Sequence, residues 1–186
     1  MIAKDLSISE YSSHIVFITG GTKSGKSEFA EHLAKEVENL SYVALSENNL
    51  DDKEWQEKIN LHRKRRPNDW KLIETKDLIN TLGKEDGPLL IDSIGGFVME
   101  SIDKEQKEWG RKMHSLISLL KKRKSITFIV GEQVGWSLVS EYKIGNTYIE
   151  RIGELQKRIT KISKDNWLAI NGRAIKIDEI SLEIPT

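Results

Sequence analysis

One glycine-rich segment constrains the fold of this 186-residue chain more than any other feature. Residues 20–27 read GGTKSGKS and follow an apolar, largely β-branched run at residues 15–19. The residues after the segment place apolar side chains at helical spacing, namely Phe29, Leu33, Val37 and Leu40. A buried strand, a G-x-x-x-x-G-K-S turn and a helix in this order are typical of a phosphate-binding loop, or P-loop. The segment therefore predicts that the chain binds a nucleoside triphosphate.

The residue types in this loop suit a polyphosphate. Glycines let the backbone curl closely around phosphate oxygens, and the N–H groups at the helix N-terminus face the negative charge. Lys26 can reach the β- and γ-phosphates, and the hydroxyl of Ser27 can bind Mg²⁺. The predicted phosphate-contacting residues are Gly20, Gly21, Thr22, Lys23, Ser24, Gly25, Lys26 and Ser27.

Composition indicates a globular enzyme without a strong surface field. Lys+Arg and Asp+Glu both number 29, which argues against nucleic acid or an anionic membrane as a partner. The chain has no cysteine, so disulfides and thiolate metal sites are excluded. No apolar run reaches the ~20 residues of a membrane span. We expect a polar extension at residues 1–13, one nucleotide-binding domain at residues 14–186, and a cytoplasmic location.

Strand-like and helical segments alternate along the rest of the chain. Further strands are predicted at residues 41–46, 70–74, 88–92 and 126–130. Helices are predicted at residues 52–66 and 77–82, through Trp109 to Leu120, and from Tyr148 to Ile162. Gly95 and Gly96 are expected to interrupt the chain, and Asn171-Gly172 to form the turn of a hairpin. The pattern predicts an α/β fold, a mainly parallel sheet flanked by helices with a C-terminal β-hairpin.

Polar residues follow several of the predicted strands. They are Ser27, Ser46, Glu74, Asp92 and Glu132. Ligands of parallel sheets gather at the carboxyl ends of the strands, so we expect these side chains to meet around one cleft. Asp92, after the run PLLI, has the placement of the second acidic element of P-loop proteins, and a role in binding Mg²⁺ is favoured over a capping role.

His62 shares a half-apolar helix face with Trp55 and Ile59 and precedes a run of positive charge. The run consists of Arg63, Lys64, Arg65 and Arg66. From these features alone a core histidine and a solvated basic face are the favoured interpretation. An imidazole beside a polyphosphate can nevertheless attack a phosphorus atom while arginines stabilise the charge.

At this point the sequence resembles the bifunctional adenosylcobinamide kinase/adenosylcobinamide-phosphate guanylyltransferases of cobalamin biosynthesis. The resemblance covers residues 15–177. It rests on ITGGTKSGKSEFAE, YVALS followed by LDD, KINLHRKRRPNDW, LLIDS, the VG of GEQVG, and NWLAINGRAIKI. The P-loop alone is generic, whereas the histidine, the basic run and the Arg-Pro-x-x-Trp that follows are far more specific.

The resemblance implies a RecA-like P-loop NTPase fold with two activities. The first phosphorylates the aminopropanol hydroxyl of adenosylcobinamide with ATP or GTP, and the second transfers GMP from GTP onto that phosphate through a guanylyl-histidine. His62 matches the nucleophile. Matching guanine-nucleotide contacts are Ala44, Leu45, Ser46, Arg63, Lys64, Arg65, Arg66, Glu74 and Asp92. The resemblance also implies Mg²⁺, a corrinoid substrate and a homotrimer.

The chain departs from its relatives at several positions away from the P-loop and His62. Gly95 and Glu100 stand where relatives carry Thr and Asn, and Glu132-Gln133 replaces their Asn-Glu. Ser140, Glu150 and Gln156 replace a Pro, an Asp and an Asn. These segments are expected to shape the corrinoid site or the subunit contacts.

Two other functions remain open from the sequence. One is a single-activity P-loop kinase or guanylyltransferase acting on a related substrate. The other is a non-catalytic NTP-binding module or a RecA-like ATPase acting on nucleic acid, which the balanced charge disfavours.

Overall fold

The computed structural model describes residues 14–45, 67, 69–136 and 140–185. Within these residues the strands are β1 (Ile15–Gly20), β2 (Ser41–Ala44), β3 (Lys71–Glu74), β4 (Leu89–Asp92), β5 (Thr127–Glu132), β6 (Asp165–Ile170) and β7 (Arg173–Lys176). The helices are α1 (Lys26–Ala34), α2 (Leu78–Lys84), α3 (Gly95–Met99), α4 (Gln106–Lys122) and α5 (Lys143–Ile162). A 3-10 turn, Ile177–Glu179, follows β7.

The seven strands of the described part of the chain form one sheet in the order β3-β2-β4-β5-β1-β6-β7. Every neighbouring pair is parallel except β6 and β7, which form an antiparallel hairpin. Parallel neighbours need crossover connections, and helices lie in those crossovers that the structure describes in full. The predicted α/β architecture with a C-terminal hairpin is therefore confirmed.

The core has two layers because the central strands are covered on both faces. Alternate residues of β1 enter different layers: Phe17 packs with α4 and α5, and Val16 and Ile18 pack with α1. The first layer is centred on Trp109, Met113, Leu116, Leu155 and Ile159. Burial on both faces explains why these strands read as continuous apolar runs rather than as alternating patterns.

The hairpin turn is the two-residue turn that the sequence predicts. Asn171 has φ 50° and Gly172 has φ 73°. Two successive positive φ values define a type I′ turn, for which Asn-Gly is the preferred pair because its twist matches that of the strands. The turn also lies beside the phosphate loop, since Gly172 N donates to Ser24 O at 3.0 Å.

Gly95 and Gly96 do not interrupt the chain as predicted, because they begin helix α3. Both glycines allow close packing. A Cβ on Gly96 would collide with the carbonyl oxygen of Leu45, and one on Gly95 would lie 2.7 Å from Oε1 of Glu132. The glycine pair thus lets α3 approach its neighbours closely.

Other predicted helices differ in their bounds. The helix predicted at residues 77–82 runs from Leu78 to Lys84, with Asp77 as its N-cap. The last helix begins at Lys143, five residues before Tyr148, where the prediction began. The helix predicted at residues 52–66 lies outside the described residues, as does the polar extension at residues 1–13.

None of the helices in the described part of the chain is both long enough and apolar enough to cross a bilayer.

Candidate nucleotide-binding site

The loop between β1 and α1 has the backbone of a phosphate cradle. Lys23 and Gly25 adopt positive φ values of 56° and 91°, and Ser24 N donates to Gly21 O at 3.3 Å, which curls the chain back on itself. Gly25 is the N-cap of α1 and offers no side chain to its first N–H groups. Those N–H groups, together with the positive end of the helix dipole, form a site suited to an anion.

A glycine is needed at position 20 because the backbone there packs closely against β6, in addition to the curvature of the phosphate loop. A Cβ at this position would collide with the carbonyl oxygen of Ala169 and would lie 2.5 Å from Ser24 Oγ. The start of the loop is therefore pressed against β6, and a larger residue would move the cradle.

Lys26 spans the loop that it follows. Its Nζ donates to the carbonyl oxygen of Gly21 at 3.2 Å. A lysine held across the cradle can transfer its hydrogen bonds to the β- and γ-phosphates of a bound nucleotide.

Ser27 and Asp92 meet at the carboxyl edge of the sheet. Ser27 Oγ donates to Asp92 Oδ1 at 3.3 Å, and Tyr42 Oη donates to Asp92 Oδ2 at 2.7 Å. A hydroxyl and a carboxylate at this separation are hard oxygen ligands of the kind that Mg²⁺ accepts alongside phosphate and water. The residues present therefore fit the predicted metal. Tyr42, which orients the carboxylate, was not among the predicted site residues.

A second acidic side chain lies close to this pair. Glu132 ends β5, beside Gly20 of β1, and its Oε1 accepts a hydrogen bond from the hydroxyl of Ser93. Its Oε2 is buried and has no hydrogen-bond partner among the described residues. Burial raises the pKa of Glu132, while the Ser93 hydrogen bond and the charge of Lys26 act in the opposite direction.

The carboxylate of Glu132 fits beside α3 because residue 95 is a glycine and has no side chain. A Cβ on Gly95 would lie 2.7 and 2.8 Å from the two carboxylate oxygens and would collide with Tyr148 Oη. Burial and the nearby Glu132 charge together raise the pKa of the Tyr148 phenol. Gly95 and Glu132, two of the positions where the resemblance indicates a departure from the family pattern, therefore lie close together and belong to one local arrangement.

The loop after β5 is tied to the phosphate loop. Gln133 N donates to Gly20 O at 2.9 Å, and Gln133 Nε2 donates to Thr19 Oγ1 at 2.9 Å and to Gln156 Oε1 at 3.2 Å. The Glu132-Gln133 pair thus connects β1, β5 and α5 at the site.

Three further predicted residues lie on the β2–β3 side. Ala44 pairs in register with both Glu74 and Asp92, and Leu45 follows directly. Glu74 is exposed. The remaining predicted site residues, His62, Arg63, Lys64, Arg65, Arg66 and Ser46, lie outside the described residues. Their roles stay predictions.

A glycine cradle, a lysine across it and a Ser–Asp pair at the carboxyl edge of a parallel sheet define a P-loop nucleoside triphosphate-binding protein. The sequence model of the family "CobU: Cobinamide kinase / cobinamide phosphate guanyltransferase" matches residues 16–177. The chain belongs to this family, and the resemblance inferred from the sequence is confirmed.

Curated relatives support the same assignment. The chain is 24% identical over 181 residues to the bifunctional adenosylcobalamin biosynthesis protein CobU of Escherichia coli (strain K12), covering 88% of this chain and 99% of that protein. It is 29% identical over 151 residues to the bifunctional protein CobP of Pseudomonas aeruginosa, covering 77% and 86% of the two chains.

A solved structure supports the fold. A prototypical ATPase from the type III secretion system of pathogenic bacteria superposes with a TM-score of 0.55 at 12% identity, over 84% of this chain. The match covers 51% of the ATPase chain, so this protein spans about half of its length. At this identity the likeness shows the fold alone, which is the predicted RecA-like P-loop NTPase fold.

Proposed function

We propose that this chain carries both activities of its family on one phosphate loop. It phosphorylates adenosylcobinamide with ATP or GTP and then transfers GMP from GTP to the new phosphate, giving adenosyl-GDP-cobinamide. The observation that carries the proposal is the convergence of Lys26, the Ser27–Asp92 pair and the buried Glu132 at the carboxyl edge of the sheet.

In the kinase step the corrinoid hydroxyl oxygen attacks the γ-phosphorus, and the bond to the β–γ bridging oxygen breaks to release the nucleoside diphosphate. The loop N–H groups and Lys26 stabilise the charge on the phosphate oxygens. The hydroxyl proton passes to Glu132 Oε2, the buried oxygen that has no hydrogen-bond partner among the described residues. A carboxylate whose pKa is raised by burial is a stronger base than an exposed one.

Ser27 and Asp92 hold Mg²⁺ in this proposal. When bound, the ion neutralises charge on the β- and γ-phosphates and fixes their orientation. Tyr42 keeps the Asp92 carboxylate facing Ser27 through its hydrogen bond.

In the transfer step a ring nitrogen of His62 attacks the α-phosphorus of GTP, and the bond to the α–β bridging oxygen breaks to release pyrophosphate. A phosphate oxygen of the corrinoid then attacks the guanylyl phosphorus, and the phosphorus–nitrogen bond to His62 breaks. Positive charge close to the nucleophile stabilises both transition states. By resemblance, that charge comes from Arg63, Lys64, Arg65 and Arg66, and the GTP contacts from Ala44, Leu45, Ser46 and Glu74.

The assembly and location rest on the family resemblance. We expect a homotrimer in the cytoplasm that binds a corrinoid and has no nucleic-acid partner. The equal numbers of acidic and basic residues support the last point.

The direct test is turnover of adenosylcobinamide, with the products identified by mass spectrometry. Wild-type protein with ATP alone is expected to give adenosylcobinamide phosphate, and addition of GTP the GDP-corrinoid. His62→Ala is expected to keep the first product and lose the second. Wild-type protein that makes neither product from either nucleotide would overturn the proposal.

A further inference from the structure

A cavity that the mechanism above does not use lies between the start of α1 and the C-terminal hairpin. Its volume is about 390 Å³, within the range of small-molecule sites. Its lining includes Ser24, Gly25, Phe29, Ala169, Arg173 and Ala174.

This cavity is continuous with the phosphate loop. Two of its lining residues, Ser24 and Gly25, belong to the loop, and the hairpin turn is attached there by the hydrogen bond from Gly172 N to Ser24 O at 3.0 Å. Ser24 is only 6% exposed, and its Oγ has no hydrogen-bond partner among the described residues. A molecule in the cavity would therefore contact the same loop that holds the phosphates.

The strand order places the cavity and Asp92 on opposite sides of the phosphate loop. β5 and β4, which carry Glu132 and Asp92, lie on one side of β1, and β6 and β7 lie on the other. In a P-loop the lysine reaches the β- and γ-phosphates and the serine binds the metal. A phosphate donor whose terminal phosphate faces Asp92 can therefore extend its nucleoside end toward β6 and β7, where the cavity lies.

We propose that this cavity holds the base of the nucleoside triphosphate that donates phosphate in the kinase step. The inference rests on the proposed function, and it adds a base-binding site formed by α1 and the hairpin. Phe29 contributes an aromatic ring and Arg173 a planar guanidinium, both of which stack on a nucleobase.

The composition of the cavity also determines its selectivity. Glu28 and Arg173 are the charged residues of the lining. Ala169, Ala174 and the Phe29 ring provide apolar surface, and every base has a face that stacks on such surface. We therefore infer that the cavity accepts adenine and guanine alike, so that ATP and GTP both serve as phosphate donors. Ala44, Leu45 and Glu74, proposed for GTP in the transfer step, lie on the opposite side of β1. One phosphate loop thus serves two base positions, one for each reaction.

Two substitutions test the cavity in the full-length protein. Arg173→Ala removes the guanidinium, and Phe29→Leu keeps an apolar side chain while removing the aromatic plane. Each is expected to raise the KM for ATP in the kinase step, and the Kd for the non-hydrolysed analogue AMP-PNP by titration calorimetry, about tenfold. Uptake of covalent GMP from GTP should stay within about twofold of wild type, the scatter of such comparisons.

Arg111→Ala is the matched control, because it removes an arginine from the exposed face of α4. It should change neither constant. Ala174→Phe fills the cavity with a side chain and is expected to weaken AMP-PNP binding at least as much as Arg173→Ala. Thermal unfolding of each variant shows that it is folded.

Unchanged AMP-PNP affinity in Arg173→Ala, Phe29→Leu and Ala174→Phe would overturn the inference, as would an equal loss of kinase activity and GMP uptake. Failure of the proposed function gives a different result, since wild-type protein would then form no corrinoid phosphate. The AMP-PNP titration would still decide whether the cavity binds the base.

Discussion

At the scale of single residues, the geometry of the phosphate loop and the Ser27–Asp92 pair was predictable, and the supporting contacts were not. Lys26 and Ser27 follow from one contiguous motif, and Asp92 from its position after a buried strand. Tyr42 and Ser93 were missed because they bind acidic residues 50 and 39 positions away in the chain. The spacing of residues within one segment does not show which strands become neighbours. Such hydrogen bonds can therefore be predicted only when the order of the strands in the sheet is known.

The Ser27–Asp92 pair predicts a magnesium-dependent effect at Asp92. Asp92→Asn is expected to reduce kcat of the kinase step about a hundredfold, since a neutral amide binds the metal and orients the phosphates less well. The rate measured against Mg²⁺ concentration should also require more metal for saturation. Asp103→Asn, a change at an exposed position between α3 and α4, is the control. An unaltered rate and metal dependence in Asp92→Asn would contradict this role.

If Glu132 is the general base, the rate of the kinase step depends on the protonation state of its carboxylate. Glu132→Gln is expected to lower kcat of the kinase step by about two to four orders of magnitude, because the amide cannot accept the hydroxyl proton. In wild-type protein the rate should fall as pH decreases through the raised pKa of Glu132, at a higher pH than for an exposed glutamate. A pH–rate profile of both proteins measures this, with Glu38→Gln, a change at an exposed position between α1 and β2, as control. A profile that is unchanged in Glu132→Gln would exclude Glu132 as the base.

The substitution Glu132→Gln, which is expected to lower activity, is also expected to stabilise the folded protein at neutral pH. Because burial raises the folded-state pKa of Glu132, the folded protein binds the proton more tightly than the unfolded chain does. The stability linked to that proton is present below the unfolded-state pKa and is lost as pH rises through the folded-state pKa. Glu132→Gln should therefore raise Tm at neutral pH, and the difference should shrink near pH ~4. A lower Tm for the variant at neutral pH would contradict the inference that the buried, charged carboxylate of Glu132 destabilises the folded protein.

At the scale of helices and strands, periodicity predicted the elements, and packing decided their exact beginnings. The apolar residues of α4 and α5 recur at helical spacing and are buried in the first core layer. Gly95 and Gly96 were misread because two adjacent glycines usually mark a break. Their role here is to let α3 lie against Leu45, Glu132 and Tyr148, which only the three-dimensional structure reveals.

The same glycine-to-alanine change is expected to have opposite effects in two elements. Gly172 has φ 73°, so Gly172→Ala should destabilise the hairpin by about 1 kcal/mol. Gly153 lies in the interior of α5 with no atom near the added methyl group, so Gly153→Ala should stabilise by ~0.5–1 kcal/mol. Chemical denaturation measures both free energies of unfolding. A change of the same sign in the free energy of unfolding of both variants would contradict this account.

At the scale of the whole molecule, the alternation of strands and helices was sufficient to predict the sheet and the edge at which the candidate site residues gather. Parallel strands direct Gly20, Ala44, Glu74, Asp92 and Glu132 to one edge, as their register confirms. The sequence could not show that the hairpin turn contacts the phosphate loop, because that contact joins residues far apart in the chain. His62 lies outside the described residues, so its position relative to the phosphate loop stays a prediction.

The oligomeric state is a further prediction for the whole molecule. Sedimentation equilibrium is expected to give three times the chain mass at micromolar concentration, as the family resemblance implies. A single species with the mass of one chain, together with full transfer activity, would show that the reaction needs no partner subunit.

The central claim is that one phosphate loop presents GTP to His62, which takes the guanylyl group. The most direct measurement is covalent labelling with GTP that carries a radioactive α-phosphate, followed by denaturation and peptide mapping. We expect the wild-type protein and a His114→Ala control to carry GMP on His62, and His62→Ala to carry none while still phosphorylating adenosylcobinamide. Label that persists in His62→Ala, or that maps to another residue in the wild-type protein, would contradict the account.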